Sequence, residues 1–378
     1  MMPNNNLYQR YQRQIILKEF GTAAQLKLQQ SRVLVIGAGG LGCPVLQYLT
    51  AAGIGTIGIA DEDVVALTNL HRQVLYTMND IGLSKAEVAA KKLSELNDEI
   101  SFHVYNTRLT NKNALDIIAG YNIIVDGTDN FASRYMINDA CVLLDKPLVY
   151  GAISKFEGQV AVFNIKINEE EPAVNYRDVF PEPPKDDEIL NCAEAGVLGV
   201  LPGITGTMMS NEAIKLITGI GTPLINTMLT YNALDNSLYQ FKLSPDKEAQ
   251  NLIPEDETAF VNMNYEWLCS SETNKYFEID VMQFDDFIND SNTLIIDVRE
   301  KDEQPEVDEF DHLQIPLPEL INNQSLIDNS RIILFCQSGT RSLKAAKLLD
   351  EFFNHSKKIY SLKKGISEWK KKHSIHVA

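Results

Sequence analysis

Three glycines near the beginning of the chain place the strongest constraint on its fold. Gly37, Gly39 and Gly42 form a G-x-G-x-x-G motif in the stretch VLVIGAGGLGCPVLQYL, between a short apolar run and a helical pattern. In a strand–loop–helix unit, such glycines permit a tight turn and let backbone N–H groups approach a phosphate at the helix N-terminus. The motif predicts an α/β unit that binds a phosphate ester, although a glycine turn that only packs a helix on a strand has the same pattern.

Strand-like runs alternate with helical patterns over residues 33–163. The helical patterns at 85–97 and 134–144 lie between some of the short β-branched runs RVLVIG, TIGIAD, NIIVDG, PLVYGA and QVAVFN. This alternation predicts a doubly wound, Rossmann-like α/β sheet. We also expect a long exposed loop over 164–191, a helix over 211–218 and an antiparallel hairpin at the sheet edge over 224–243.

The remainder of the chain predicts a second domain. A chain of 378 residues is too long for one ordinary hydrophobic core. A further α/β pattern occupies TLIIDVRE, RIILFCQSGTRSLKAAKLLDEF and KKIYSLKKGISEWKKK. We therefore expect a nucleotide-binding domain over 1–245, a linker with little periodicity over 246–274, and a small α/β domain over 275–378.

Charge and cysteine content exclude several classes of protein. The formal net charge of −17 and the pI of about 4.8 argue against a nucleic-acid partner or an anionic-membrane surface, but leave a local basic pocket open. The opening residues lack the apolar segment of a signal peptide, and proline and glycine interrupt the weakly polar stretch 195–209. The five cysteines form no C-x-x-C pair. We expect neither a disulfide framework nor a zinc ribbon, and a cytoplasmic location.

Residues after the glycine motif indicate which nucleotide it binds. Asp61 lies 19 residues past Gly42, at the end of a strand-like run, where a carboxylate accepts hydrogen bonds from ribose hydroxyls. Arg72 and Lys85 add two cations, and Asp129 follows another strand-like run. Two cations and a carboxylate suit a triphosphate with Mg²⁺, because they neutralise the phosphates and hold the metal. A NAD(P)-dependent oxidoreductase would use the same glycine loop without needing that carboxylate.

Several of these stretches resemble the MoeB/ThiF family, the bacterial relatives of ubiquitin-activating enzymes. The resemblance covers about residues 8–243 and rests on RYQRQIILKEFG, the glycine motif through DEDVVALTNLHRQ, GLSKAEVA, DGTDNFASRYMINDAC and NCAEAGVLGVLPGITG. It implies a homodimer in which ATP adenylates the C-terminal Gly-Gly carboxylate of a ubiquitin-like sulfur carrier protein.

The motif and the resemblance together name the residues expected at the nucleotide. Asp129 would hold Mg²⁺, and Gly40 would leave space for the reacting acyl phosphate. Arg13 would reach across the homodimer to the nucleotide of the other subunit. The residues expected to bind MgATP are Gly37, Gly39, Gly40, Gly42, Asp61, Asn69, Arg72, Gln73, Lys85, Asp129 and Arg13.

Cys192, in NCAEAGVLG, is one of two candidate catalytic cysteines. By position it matches a cysteine that can capture the activated acyl group as a thioester or an acyl disulfide; the alternative is a small buried apolar residue. The family often carries a Cys₄ zinc site made of two C-x-x-C pairs. Asn175 and Asp178 stand where the first pair would lie, and no cysteine occurs near the expected second pair at 230–241. We therefore predict no zinc.

Cys336 is the other candidate, at the end of an apolar run in RIILFCQSGTRS. The loop after it would direct backbone N–H groups and a helix N-terminus at the sulfur, and Arg341 adds positive charge. Together these lower the pKa of a thiol. The alternatives are a buried strand-end cysteine and a phosphate-binding loop of the tyrosine-phosphatase type, although C-x5-R is one residue longer than the spacing here.

This second pattern resembles a rhodanese (sulfurtransferase) domain over about residues 278–372. The stretches LIIDVRE with Asp297 and Arg299, QIPLPEL, FCQSGTRS and IYSLKKGISEW carry the resemblance. It implies a persulfide on Cys336. Seven acidic residues lie in 300–311 and would discourage an anionic sulfur donor if they lie near the loop. We therefore expect a protein persulfide, such as that of a cysteine desulfurase, rather than thiosulfate.

The sequence thus predicts a fused enzyme that adenylates a sulfur carrier and then transfers persulfide sulfur to it. The product would be a C-terminal thiocarboxylate for molybdopterin, thiamine or a related sulfur pathway. The expected catalytic residues are Arg72, Cys192, Cys336 and Arg341, whereas Cys43 and Cys269 are expected to be structural. Three alternatives stay open: a NAD(P)-dependent oxidoreductase, an adenylating enzyme whose second domain only binds a partner, and a non-enzymatic scaffold.

Overall fold

The chain divides into two units, Met1–Cys269 and Ser270–Ala378. The computed structural model describes residues 5–168, 171–182, 196–265, 276–288, 290, 292–320, 323, 327, 329, 331–353 and 357–374. Cys192 and Cys269 lie outside these residues.

A single sheet organises the described part of the first unit. Its strands are β1 (Arg32–Ile36), β2 (Thr56–Ala60), β3 (Ser101–Tyr105), β4 (Ile123–Asp126), β5 (Leu148–Ser154), β6 (Glu157–Phe163), β7 (Thr227–Asn232) and β8 (Leu238–Lys242). They lie in the order β3-β2-β1-β4-β5-β6-β7-β8. The pairings from β3 to β5 are parallel, and those from β5 to β8 are antiparallel.

Helices cover both faces of this sheet. They are α1 (Asn5–Ile15), α2 (Gly21–Gln30), α3 (Gly42–Ala52), α4 (Lys85–Leu96), α5 (Ala114–Ala119), α6 (Phe131–Leu143), α7 (Tyr176–Val179), α8 (Val200–Thr218), α9 (Lys247–Gln250) and α10 (Glu257–Asn262). Val33 and Val35 of β1 belong to one core with residues of α2, α3, α4 and α8. Leu34 and Ile36 belong to a second core with α5 and α6. A strand buried on both faces reads as a continuous apolar run, which is why β1 was predictable.

The doubly wound α/β fold and the edge hairpin β7–β8 are confirmed, but three local expectations were incomplete or wrong. The edge strand β3 has no fully buried residue, so SFHVY shows no apolar run. Helix α8 begins at Val200, well before the predicted start at residue 211. Pro202 does not prevent this, because it lies in the first turn, where its missing N–H is not needed. The expected exposed loop over 164–191 is wrong around α7, where Tyr176 and Arg177 are buried.

The segment expected as a linker carries ordered structure in its described part. Helices α9 and α10 lie within it, and Phe260 and Tyr265 are buried in the second core of the first unit. Asn111 holds this segment through its side-chain amide, which donates hydrogen bonds to the carbonyls of Val261 at 2.7 Å and Met263 at 2.9 Å. Single apolar residues among charged ones give no periodicity, so the sequence pattern did not indicate this packing.

The second unit has a parallel sheet of its own. Its described strands are β9 (Tyr276–Ile279), β10 (Thr293–Asp297), β11 (Leu313–Gln314), β12 (Arg331–Phe335) and β13 (Lys358–Leu362), in the order β11-β10-β12-β13-β9. Its described helices are α11 (Val281–Ile288), α12 (Thr340–Phe352) and α13 (Gly365–Ser374). Two apolar clusters include strand residues on opposite faces, Ile332 and Leu334 in one and Ile333 and Phe335 in the other. The predicted small α/β fold is confirmed.

A buried ion pair connects α6 with α7, and it is joined by Tyr265 from the segment that was expected to be a linker. The Arg177 guanidinium donates from Nε and Nη2 to the two carboxylate oxygens of Asp139, each at 2.8 Å. The Tyr265 hydroxyl donates to the same carboxylate at 2.9 Å. Arg177 and Asp139 are almost wholly buried, so each charge depends on its partner for compensation.

We expect Arg177→Met to destabilise the first unit by about 3–5 kcal/mol, because it leaves the buried Asp139 carboxylate without its countercharge. Tyr265→Phe removes one hydrogen bond and should lower stability by about 1–2 kcal/mol. Hydrogen exchange of peptides from α6, measured by mass spectrometry, reports this free energy locally. Lys112→Met, at an exposed site of the same unit, is the control. Equal exchange in Arg177→Met and in the control would contradict the role assigned to the pair.

Candidate active sites

A cleft opens in the first unit at the carboxyl ends of β1, β2 and β4. Strand order reverses between β1 and β4, and ligands of open α/β sheets bind at such a switch point. The cleft has a volume of about 520 Å³, which is within the range of small-molecule sites. Of the predicted nucleotide residues, those that line it are Gly37, Gly39, Gly40, Asp61, Arg72, Gln73, Lys85 and Asp129.

Some glycines at the base of the cleft permit close packing, and others leave open space beside the backbone. A Cβ on Gly42 would lie 1.9 Å from the carbonyl oxygen of Gly37, so Gly42 is required for close packing and does not line the cleft. A Cβ on Gly39 would meet only Gln73 Nε2, at 3.5 Å, so the backbone there faces open space. A Cβ on Gly40 would lie 3.2 Å from the Pro202 side chain, so this glycine also makes room for α8.

Asp61 ties the glycine loop to the end of β2. One carboxylate oxygen accepts the backbone N–H of Ala38 at 2.7 Å, and the other accepts that of Asp63 at 2.8 Å. Burial raises the pKa of this carboxyl group, and the hydrogen bond from Ala38 and the charge of Lys85 oppose that rise. Asp61 therefore fixes the loop while still lining the cleft at the position predicted for a ribose.

The cations of the cleft are held by oxygen atoms of the protein. Lys85 is buried at the start of α4, and its ammonium donates a hydrogen bond to the Asp63 carboxylate at 2.8 Å. Arg72 Nη1 donates to the Thr68 carbonyl at 2.9 Å. Asp63 is largely exposed, so an anion bound in the cleft could replace it as the partner of Lys85.

Asp129 lines the cleft in the turn after β4. Asp126 shapes this turn, because its carboxylate accepts the backbone N–H of Thr128 at 2.9 Å and the Thr128 hydroxyl at 2.7 Å. Asp126 is buried beneath the cleft, and burial raises its pKa. Asp129 is therefore the carboxylate of this turn that lines the cleft, whereas Asp126 holds the turn itself.

Asn69 and Arg13 do not line the cleft. The side chain of Asn69 accepts the backbone N–H of Ala66 at 3.1 Å and closes a short turn outside the cleft. Arg13 lies exposed on α1 and does not line the cleft of its own chain. The candidate cysteine Cys192 lies outside the described residues.

Sequence reasoning missed several residues of the cleft wall. Arg108 and Leu109 enter it from the segment after β3, and Ser133 and Arg134 enter from the first turn of α6. Recognition of β3 would have found the first two, because the carboxyl ends of parallel strands share one edge of the sheet. With Arg72 and Lys85, the residues Arg108 and Arg134 give the cleft four basic side chains, beside the carboxylates of Asp61, Glu62, Asp63 and Asp129.

The second unit holds Cys336 immediately after β12. The side chain is fully buried, and its sulfur accepts the backbone N–H of Gly339 at 3.2 Å. Burial by itself raises the pKa of the thiol, but hydrogen bonds from Ser342, Ser338 and Gly339 outweigh it and lower the pKa below its usual value. The loop after β12 thus directs a backbone N–H at the sulfur, which is the arrangement that the sequence predicts.

Two arginines flank the Cys336 loop. The buried Arg299 donates from Nη2 to Asp297 at 2.7 Å and from Nη1 to the Gln337 side chain at 3.3 Å, which links β10 to the loop. Arg341, at the start of α12, forms a two-pronged ion pair with Glu303.

The cysteines of the first unit differ from Cys336. Cys43 and Cys141 are buried, and burial raises the pKa of both thiols, that of Cys43 to about 12.

Comparison with known protein families identifies the α/β pattern of each of the two units. Residues 11–252 match the ThiF family, which is well over half of the chain. The chain belongs to the ThiF family. Residues 280–372 match the rhodanese-like domain. Membership of the ThiF family implies that the chain uses ATP.

Some relatives of this ThiF-family chain match little more than its first unit, and others match it along most of its length. A sulfur carrier protein adenylyltransferase of Thermus thermophilus is 51% identical over 60% of this chain and 84% of its own length. A probable adenylyltransferase/sulfurtransferase MoeZ of Mycobacterium tuberculosis is 40% identical over 89% of this chain and 86% of its own. A probable molybdopterin-synthase adenylyltransferase of Porphyra purpurea is 39% identical over 96% and 92%.

Solved structures support the fold of the ThiF-family unit. Escherichia coli MccB with ATP superposes with a TM-score of 0.55 at 21% identity, covering 65% of this chain and 73% of that one. PaaA gives a TM-score of 0.53 at 20% identity, covering 64% and 75%. Identities this low carry information about the fold alone. Among the described residues, no helix combines the length and the apolar character that crossing a bilayer requires.

The hydrogen bonds around Cys336 lead to a test of its acidity. Ser342→Ala removes the side-chain hydrogen bond that helps to lower the pKa of the thiol, so we expect the pKa of Cys336 to rise. Ser338→Ala is the matched control, because Ser338 contacts the sulfur through its backbone N–H. The pH dependence of iodoacetamide labelling at Cys336, measured by peptide mass spectrometry, gives the pKa. Equal shifts in both variants would contradict the assignment to the Ser342 side chain.

Proposed function

We propose that this protein adenylates the C-terminal Gly-Gly carboxylate of a ubiquitin-like sulfur carrier and then converts it to a thiocarboxylate. The observation that carries the proposal is the presence on one chain of a glycine-lined cleft, with Arg72 and Lys85 in its wall, and of a loop whose backbone N–H donates to the buried Cys336 sulfur. Relatives that match along most of this chain are named adenylyltransferase/sulfurtransferase. The carrier belongs to molybdopterin, thiamine or a related sulfur pathway.

The chain's own residues are suited to the first step. ATP would supply the adenylyl group that makes the carboxylate reactive. The glycine loop gives its phosphates access to the backbone, and Arg72 and Lys85 offset the negative charge that develops on pyrophosphate. Asp129 is the residue that would hold Mg²⁺. No general base is required, because the attacking carboxylate is already ionised at neutral pH.

Sulfur transfer would come next, at Cys336. The terminal sulfur of a Cys336 persulfide attacks the acyl carbon, and the bond to the phosphate oxygen breaks as AMP leaves with its electron pair. A second thiol then attacks the Cys336 sulfur, and the carrier leaves as a thiocarboxylate. Cys192 is our candidate for that thiol.

Three further features belong to the same proposal. The protein acts as a homodimer in which Arg13 serves the nucleotide of the other subunit, and it receives sulfur from a persulfide donor such as a cysteine desulfurase. It binds no structural zinc. Asn175 and Asp178 support this last point, because the Asp178 carboxylate accepts the backbone N–H groups of Asn175 at 2.7 Å and Asp246 at 2.8 Å. These hydrogen bonds join α7 to the segment before α9 without a metal.

Lys85 provides the test of the adenylation site. We expect Lys85→Met to reduce carrier-dependent exchange of labelled pyrophosphate into ATP by about 10²–10³-fold, because one preorganised charge at the phosphates is lost. Lys91→Met, at an exposed site of the same helix, should leave exchange unchanged. Tight NADH binding that Mg-ATP does not affect would overturn the assignment and favour an oxidoreductase.

Cys336 provides the test of coupling between the two activities. We expect Cys336→Ala to retain pyrophosphate exchange but to lose thiocarboxylate formation from a purified persulfide donor, because only the second step needs this sulfur. Mass spectrometry of the carrier measures the added sulfur. Ser338→Ala, in the same loop, should retain both activities. An unchanged yield of thiocarboxylate in Cys336→Ala would refute the coupling.

A further inference from the structure

The ion pair beside the Cys336 loop gives Glu303, which has had no role so far, a direct contact with Arg341. Arg341 Nη2 donates a hydrogen bond to Glu303 Oε2 at 2.6 Å, and Nη1 donates to Oε1 of the same carboxylate. Glu303 also accepts the backbone N–H of Glu300 at 3.1 Å, which fixes the acid within its own turn. The two side chains are 36% and 29% exposed, so the pair lies at the surface.

Arg341 is near enough to the sulfur to sense its charge. The hydrogen bond from Arg341 lowers the pKa of Glu303 to about 2, and Glu303 in turn raises the pKa of Arg341, with a smaller contribution from Cys336. Arg341 comes two residues after Gly339, whose backbone N–H donates to the Cys336 sulfur at 3.2 Å, and its two-donor edge faces the Glu303 carboxylate.

The other arginine beside the loop is also engaged. Arg299 donates to Asp297 at 2.7 Å from Nη2 and to the Pro305 carbonyl at 3.0 Å from Nη1, and it is buried. Both guanidinium groups next to Cys336 are therefore already paired with a carboxylate. A planar guanidinium is the group best suited to a small oxyanion, because it offers two parallel donors together with its charge.

We propose that Glu303 is a specificity-determining residue of the sulfurtransferase site. By pairing with Arg341 it withholds the cation that a small dianionic sulfur donor requires, and it reserves Cys336 for a persulfide carried on another protein. A protein donor binds through its own surface and presents a single negative charge, so it has less need of Arg341. This inference rests on the proposed function and narrows its sulfur-donor class.

The two donor reactions differ in their leaving groups. With thiosulfate, the Cys336 thiolate attacks the outer sulfur, the S–S bond breaks, and sulfite leaves with the electron pair. With a protein persulfide, the thiolate attacks the terminal sulfur, and the donor thiolate leaves. Both reactions yield a Cys336 persulfide with no net oxidation. Cyanide then removes the terminal sulfur as thiocyanate and regenerates the thiolate.

The test compares thiosulfate:cyanide sulfurtransferase activity in variants of the full chain. We expect Glu303→Gln to raise kcat/KM for thiosulfate by about tenfold, because one negative charge several ångströms from a dianion is removed. The double variant Glu303→Gln/Arg341→Gln should lose that gain. Asp302→Asn removes the same charge from the neighbouring position, with no ion pair to Arg341 among the described contacts, and should show no gain.

A second measurement separates donor choice from general activity. Sulfur loading of Cys336 from a cysteine desulfurase charged with cysteine, measured by mass spectrometry, should change less than twofold in Glu303→Gln. No gain with thiosulfate, an equal gain in Asp302→Asn, or a gain that survives in the double variant would overturn the inference. Thermal melting of each variant shows whether it folds. Glu303→Ala is a second substitution that frees Arg341 from its carboxylate partner. The assays need neither ATP nor a carrier, so failure of carrier adenylation would be seen separately.

Discussion

The cleft of the first unit depends on one close approach of backbones at the ends of β1 and β4. A Cβ on Gly37 would lie 2.8 Å from the carbonyl oxygen of Gly127, and a Cβ on Gly42 would lie 1.9 Å from that of Gly37. With no side chains between them, α3 begins directly against the strand ends. The loop between Gly37 and Gly42 is then displaced toward the cleft, where the Asp61 carboxylate holds it through Ala38. This contact sets the position of the backbone that lines the cleft.

Charged groups at both sites are held by internal partners. Lys85 pairs with Asp63 in the first unit, and Arg341 pairs with Glu303 in the second. The Asp63 side chain is 65% exposed, so water screens this interaction and an incoming phosphate can compete with it. Glu303 engages two donors of a planar group, which makes a stronger and more directional pair. Pairing with a carboxylate therefore leaves Lys85 available to a ligand but keeps Arg341 occupied.

The sequence predicted the parts of this protein that obey local rules. Buried strands such as β1 show continuous apolar runs, and the glycine motif located the cleft with Asp61, Arg72 and Lys85 around it. It could not predict β3, whose edge position leaves no apolar run, nor Arg108, which depends on that strand. The pairing of Arg341 with Glu303 was equally hidden, because the partners lie 38 residues apart and no local pattern connects them.

The packing of Phe260 and Tyr265 extends the first unit beyond its recognisable sequence. The ThiF match ends at residue 252, yet these two buried aromatic side chains come later, and the second caps the Asp139–Arg177 pair. A truncation at the end of the match would remove part of the core together with the second unit, so loss of activity in such a fragment would not measure the need for sulfur transfer.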